Sequence, residues 1–204
     1  MVPVTRGFRR RRPDGPEGRL PPGQYDTGAG WPVLTAEATP RIERESWTIG
    51  VDGLVGEPTT WTWDEVQQLP RSSYNGDIHC VTTWSKFDVV FAGVSVDTLL
   101  AAAEPQPEAA FVMAHSSTGY TTNLPLADVT GGKAWVVWEF DGRPLTAEHG
   151  GPVRLLVPHL YFWKSAKWIS RLELTATDRP GFWESNGYHD RGDPWLEQRY
   201  QGDP

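Results

Sequence analysis

The sequence predicts a β-rich α+β fold of short strands, short helices and many ordered loops. Gly 21, Pro 18 and Trp 11 in 204 residues punctuate the chain too often for a helical bundle. Apolar residues recur in runs of strand length, with few long stretches of helical period. A hydrophobic fraction of 38% still leaves ample apolar surface for a core, so the composition is not that of a disordered chain.

The elements follow in order. Residues 1–40 lack periodicity and are rich in Pro and Gly, so they are expected to drape over a domain formed by residues 41–204. Trp47, Ile49 and Val51 alternate with Thr48, Gly50 and Asp52, the pattern of a half-buried strand, and Asp52-Gly53 supplies a turn. Thr62 with Glu65 has capping-box spacing, which predicts a short helix over 63–69 that Pro70 ends. Ser95 caps a second helix over 96–103, stopped near Pro105 and Pro107. Strands are expected at 110–114, 134–140, 153–157 and 169–175, with Asp141-Gly142 as a hairpin turn.

Charge and cysteine content exclude several classes. The net charge is -7 although Arg6, Arg9, Arg10, Arg11 and Arg12 cluster near the start, so the rest of the chain is more acidic still and nucleic acid is not an expected partner. The stretch after these arginines is polar and proline-rich where an export signal needs an apolar region; a cytoplasmic location is the expectation, with the arginines as a solvated tail. One cysteine rules out an internal disulfide, and no apolar stretch is long enough for a membrane-spanning helix.

Three stretches could carry chemistry. In GDIHCVTTWSKFD, residues 76–88, the lone Cys80 sits among His79, Thr82, Thr83, Trp84, Ser85 and Lys86; a lone cysteine is usually a small buried hydrophobe, but this setting resembles a site wall. In HGGPVRLLVPHLYFWKSAKWISRLEL, residues 149–174, Arg154 lies within an apolar run and wants an anionic partner. Lys164, Ser165 and Lys167 offer the ammonium and hydroxyl donors a phosphate requires, although a surface loop beside a paired Arg accounts for the same residues. In GFWESNGYHDRGDPW, residues 181–195, Tyr188 by itself reads as an ordinary half-buried aromatic with its hydroxyl at the surface, and His189 beside Asp190 could shuttle protons.

Together these stretches resemble the oxidoreductase molybdopterin-binding domain shared by sulfite oxidases and protein-methionine-sulfoxide reductase catalytic subunits, over roughly residues 45–195. The motifs that carry the resemblance are Cys-Val-x-x-Trp-Ser, Gly-x-Pro-Val-Arg, and a Lys-rich loop ending in Lys-Trp-Ile. The resemblance implies the sulfite-oxidase-type fold of mixed sheets with short helices, and a molybdenum-molybdopterin cofactor used for two-electron oxo transfer to or from a small sulfur or nitrogen centre. It makes Cys80 the metal ligand, a soft thiolate suited to a metal otherwise held by dithiolene sulfurs and oxo groups. It further implies cofactor contacts from Ser116, His149 and Arg154, and a grip on the pterin's terminal phosphate by Lys164, Ser165, Ala166 and Lys167. Tyr188 falls where sulfite oxidases carry a catalytic tyrosine. With no second cysteine for an iron–sulfur cluster and no haem-attachment motif, electrons must pass to a separate haem, flavin or quinone-linked protein.

The chain departs from sulfite oxidases where they hold the sulfite dianion. The approximate counterpart, residues 27–32, has no arginine, and Thr82 to Lys86 replace an Asn-Arg-Arg run, leaving Lys86 or Arg71 as the only nearby substitutes. Sulfite is therefore doubtful as substrate. The alternatives are a zinc hydrolase using Cys80 with His79, His115, His149, His159 or His189, a Cys-His hydrolase, and a non-enzymatic tryptophan-rich binding module. His79 and Cys80, adjacent on a strand, would face opposite ways and make poor co-ligands.

Overall fold

The computed structural model describes residues 18–204. The arginine cluster and the start of the expected N-terminal segment lie outside them. Eleven strands and three α-helices run in the order β1 (Tyr25–Asp26), β2 (Thr48–Gly53), β3 (Thr59–Thr62), α1 (Trp63–Gln68), β4 (Arg71–His79), β5 (Trp84–Ser95), α2 (Val96–Ala103), β6 (Phe111–Ser116), β7 (Thr121–Pro125), α3 (Leu126–Val129), β8 (Trp135–Phe140), β9 (Arg143–Pro144), β10 (Arg154–Leu156) and β11 (Ile169–Thr175) among the described residues.

The strands form two mixed sheets. One is ordered β1-β5-β8-β10, with β4 also paired to β5 and β9 to β8; the other is ordered β3-β2-β11-β6-β7. In the second, β11 runs parallel to β2 and antiparallel to β6, so strands distant in sequence lie side by side at its centre. The principal core holds Ile49, Val51, Leu99, Leu124, Val136 and Leu155, all fully buried, and draws on both sheets and α2. A second apolar cluster around Ile78, Trp84, Phe91 and Phe162 lies behind the β4–β5 hairpin and includes Cys80.

Local chemistry explains the short helices. Thr62 Oγ1 accepts from Glu65 N–H while the Glu65 carboxylate accepts from Thr62 N–H, the reciprocal cap the spacing predicts. Ser95 caps α2, which ends where Glu104 turns left-handed at φ 55°. The Asp97 carboxylate accepts from Gly131 N–H (2.8 Å) and Gly132 N–H (2.7 Å), fixing the turn before β8.

The expected strands near 47–51, 110–114, 134–140, 153–157 and 169–175 all form, with ends shifted by a residue or two, and Asp141-Gly142 turns β8 into β9. The long β4–β5 hairpin and β7 were not foreseen. β4 alternates exposed and half-buried residues with few apolar side chains, so the 12-residue partner β5, more than its own pattern, makes it a strand. Gly93 in β5 allows close contact with β8: a Cβ there would lie 2.0 Å from the Val136 carbonyl oxygen.

Candidate active site

Four residues, 80–83, join β4 to β5. The turn closes with Thr83 N–H donating to the Cys80 carbonyl (3.0 Å) and Cys80 N–H to the Trp84 carbonyl (2.8 Å). Thr83 takes φ 75°, an unusual value for a β-branched residue, and the surrounding contacts must hold it there. Cys80 leaves its Sγ 3.2 Å from Thr82 Oγ1 at the wall of a cavity of about 270 Å³. His79, one residue earlier, turns the other way: its Nδ1 bonds Ser85 Oγ at 2.8 Å and its ring meets Trp195.

Three further segments supply much of the cavity, the irregular residues 31–37, the loop 162–168 between β10 and β11, and residues 183–188, and Ser116, Tyr120, His149 and Arg154 line the rest. The first is tied down by side chains of the domain. His149 Nε2 meets the Trp31 carbonyl (3.2 Å) with the two rings stacked at 3.8 Å, and Lys167 Nζ donates to the Leu34 carbonyl (2.9 Å). Nδ1 of His149 faces Thr146 Oγ1 at 3.0 Å, and burial holds its pKa below the usual value, so the ring is neutral with its proton on Nε2.

Two cations line the cavity, and no carboxylate pairs with either among the described residues. The Arg154 guanidinium, fully buried, donates to the carbonyls of His149 (2.7 Å) and Ser165 (2.7 Å) and lies 4.1 Å over the Phe162 ring. Lys167 donates to the carbonyls of Leu34 and Glu148 (2.6 Å). Burial lowers the Arg154 pKa to about 9 and that of Lys167 to about 8. A buried charge like that of Arg154, with no counter-ion among the described residues, is costly unless an anion completes the site.

The structure brings Cys80, Ser116, His149, Arg154, Ser165, Ala166, Lys167 and Tyr188 to this one cavity. Ser165 Oγ accepts from Val157 N–H (2.8 Å) and Ser116 Oγ donates to the Lys167 carbonyl, so both hydroxyls also shape the loop. Tyr188 packs edge-on to Trp163, and burial raises its pKa, keeping the hydroxyl protonated.

Two expected site residues are elsewhere. Lys164 is fully buried beneath the cavity, where Nζ pairs with Glu184 (2.6 Å) and donates to Asn123 Oδ1 (2.9 Å) and to the Asn123 carbonyl (2.8 Å). Its neighbours Ser165 and Lys167 turn to the opposite side, so only part of the Lys-rich loop can meet an anion. His189 uses Nδ1 to accept from Arg191 N–H (3.0 Å) and Gly192 N–H (3.1 Å); it builds a turn and is not among the cavity's lining residues. Neither substitute for a sulfite-binding arginine reaches the cavity. Lys86 Nζ is spent on the Gly28 (3.0 Å) and Gly30 (3.2 Å) carbonyls, and Arg71 pairs with Glu139 on the edge of the sheet.

Sequence reasoning missed Tyr120 and Glu37 on the cavity wall. Tyr120 donates from its hydroxyl to the Trp163 carbonyl (2.7 Å), and the Glu37 carboxylate accepts from Thr118 Oγ1 (2.6 Å). No local pattern marks either, since contacts across more than forty residues place them.

The alternative chemistries lack their parts. No group of three or more His, Cys, Asp or Glu side chains able to hold a metal gathers among the described residues, which leaves a zinc reading without ligands. Burial pushes the Cys80 thiol pKa up and no histidine bonds it, the reverse of an activated cysteine nucleophile. Most tryptophans, including Trp47, Trp61, Trp84, Trp135, Trp138, Trp163 and Trp168, are buried, so they form no exposed binding platform.

The residues fit a molybdenum–pterin group on three counts: a lone soft sulfur at one end of the cavity, two carboxylate-free cations for a terminal phosphate, and aromatic walls for a flat ring system. Comparison with known proteins agrees. Residues 36–183 match the oxidoreductase molybdopterin-binding domain, and the chain belongs to that family of oxidoreductases. The chain is 43% identical over 197 residues to the uncharacterized oxidoreductase YuiH of Bacillus subtilis, covering 96% of this chain and 99% of that protein. It is 28% identical over 148 residues to the putative protein-methionine-sulfoxide reductase subunit YedZ1 of Azospira oryzae, and 27% identical over 189 residues to the protein-methionine-sulfoxide reductase catalytic subunit MsrP of Pseudomonas syringae. These alignments cover 72% and 83% of this chain, but it spans only 56% and 54% of the two relatives. The sulfane dehydrogenase SoxCD of Paracoccus pantotrophus shares the fold, with a TM-score of 0.63 at 21% identity over 68% of this chain and 40% of that one. No described helix is long and apolar enough to cross a membrane.

Proposed function

We propose that this oxidoreductase holds a molybdenum–molybdopterin cofactor through Cys80 and uses it on a small, uncharged sulfur or nitrogen oxide or its reduced counterpart. The observation that carries the reading is the pairing, in one cavity, of the only cysteine with the fully buried Arg154 and the half-buried Lys167, neither of them paired with a carboxylate among the described residues. Arg154 and Lys167 would take the pterin's phosphate, with Ser116, Ser165, the Ala166 backbone and His149 around it. When bound, such a cofactor supplies two-electron oxo transfer.

The remaining residues of the cavity orient the substrate. Trp163, Trp183 and Tyr188 offer apolar surface to an organic group, and the protonated Tyr188 hydroxyl is available to donate to a substrate oxygen. With Lys86 and Arg71 committed elsewhere, no spare guanidinium or ammonium among the described residues lines the cavity for a dianion, which disfavours sulfite. A separate haem, flavin or quinone-linked protein would exchange the electrons; that the reductase relatives are named as subunits supports a partner.

Protein from a host that makes the cofactor should contain molybdenum and give pterin fluorescence. Cys80→Ser should stay folded but lose reduction of a neutral sulfoxide by a reduced viologen dye. Full activity in that variant with molybdenum still bound, or wild-type protein without metal or pterin, would overturn the assignment.

A further inference from the structure

The family match ends at residues 36 and 183, yet the turn that presents Cys80 is gripped from outside those limits. Three of its carbonyls are held by the flanking segments. Gln24 Nε2 donates to the Cys80 carbonyl at 3.0 Å, Tyr25 N–H to the Thr83 carbonyl at 2.9 Å, and Arg199 Nη1 to the Val81 carbonyl. Arg199 joins both segments: its Nη2 donates to the Pro22 carbonyl at 3.3 Å, and its guanidinium lies 5.2 Å over the Tyr161 ring. The tail is folded to deliver it, because the Asp203 carboxylate accepts from Arg199 N–H (2.8 Å) and Tyr200 N–H (2.7 Å).

A four-residue turn with a β-branched residue at positive φ does not keep one geometry unaided. A planar guanidinium with several fixed donors is suited to locking carbonyls of two separate segments, whereas neutral donors at the same places would hold them less tightly. We infer that Arg199, with Gln24, is a positioning residue: the two flanking segments brace the Cys80 turn so that its sulfur is held where a metal can be bound. The inference rests on the reading of Cys80 as the ligand, and neither residue touches the cavity itself.

The test compares wild type, Arg199→Gln, Arg199→Lys, Gln24→Ala and Gln201→Ala, all made in a host that supplies the cofactor. Gln201 ties the same tail to the Glu184 carbonyl (3.1 Å) without touching the turn, so Gln201→Ala reports loosening of the tail alone. Molybdenum retained during dialysis is followed with time, and the Mo(V) resonance of partly reduced protein gives a signature of ligand geometry. Arg199→Gln should lose metal about tenfold faster, the expected effect of one charged hydrogen bond, with an altered resonance; Arg199→Lys, which keeps the charge but not the fork that reaches two carbonyls, should recover only part of both, and Gln201→Ala should match wild type. Retention at the wild-type rate in Arg199→Gln, or equally fast loss in Gln201→Ala, would overturn the brace. Should Arg199→Gln not fold, Gln24→Ala decides: faster loss supports the brace and unchanged loss with an unchanged resonance overturns it. Wild-type protein that carries no metal would overturn the ligand reading and the brace with it, a result distinct from loaded variants that keep their metal.

Discussion

Replacing Lys167 by Met should stabilise the protein without its cofactor and weaken the protein's hold on it. The ammonium is half-buried, faces the cavity, and meets the carbonyls of Leu34 and Glu148 and, at 5.5 Å, the Trp168 ring. Burial moves its pKa from 10.5 to about 8. At 1.36 kcal/mol per pKa unit this is roughly 3 kcal/mol against the charged form; partial exposure screens the charge, and about 1 kcal/mol is the portion to expect. Methionine keeps the stem and removes that cost, so the melting temperature of cofactor-free protein at pH 7 should rise by about 2–4 °C. The sign with pH follows from proton binding: between pH 8 and 10.5 the unfolded chain holds a proton on Lys167 that the folded chain has released, so the wild type gains stability from this group as pH rises through the window. The difference between the two proteins should shrink there. In loaded protein the proposed phosphate grip reverses the effect, since a pterin phosphate held as proposed would lose its ammonium, and metal should be lost about tenfold faster during gel filtration. Scanning calorimetry on cofactor-free protein and metal analysis on loaded protein check the two halves. A variant that is less stable without cofactor at pH 7, or one that keeps its metal as well as wild type, would refute the reasoning.

Three further outcomes test the surrounding structure. Lys164→Met should destabilise by about 3–5 kcal/mol in urea, because Glu184 is left as an unpaired buried carboxylate, while protein that does fold should keep its cofactor. Burial alone would raise the Asp128 pKa, but bonds from His159 and Arg191 outweigh it and leave the carboxyl well below its ordinary range. Asp128→Asn should therefore cost stability at pH 7, and its deficit should fade as acid protonates the wild-type carboxylate below about pH 4 in the unfolded chain and lower still in the folded one, a trend that chemical denaturation across pH would reveal. Gly93→Ala would drive a methyl group into the Val136 carbonyl and should lower stability by about 3 kcal/mol, measurable as an earlier denaturation midpoint.

Much of this protein was legible in its sequence because the signals are local. Thr62 and Glu65 are three residues apart and cap α1 whatever surrounds them, and alternation about Ile49 and Val51 marks a half-buried strand before its partners are known. The motif around Cys80 and the Pro-Val-Arg segment likewise brought two distant stretches into one expected site, and both now line one cavity. The β4–β5 hairpin was hidden because β4 carries little apolar pattern and owes its conformation to pairing with β5.

What tertiary structure decided is which side of each segment faces the cavity. Lys164, Ser165 and Lys167 read alike as donors in one loop, but the 3-10 turn at Phe162–Lys164 sends Lys164 inward to Glu184 and Lys167 to the cavity, a choice set by a carboxylate twenty residues further along. His189 was spent on backbone N–H groups that needed an acceptor, and Arg199 and Gln24 reached the Cys80 turn from opposite ends of the described chain. The sequence by itself determined which residue types were available and which local elements they form. Only the packed chain determined which polar groups were consumed in satisfying the fold and which were left to meet a ligand, because that depends on partners supplied from tens to more than a hundred residues away.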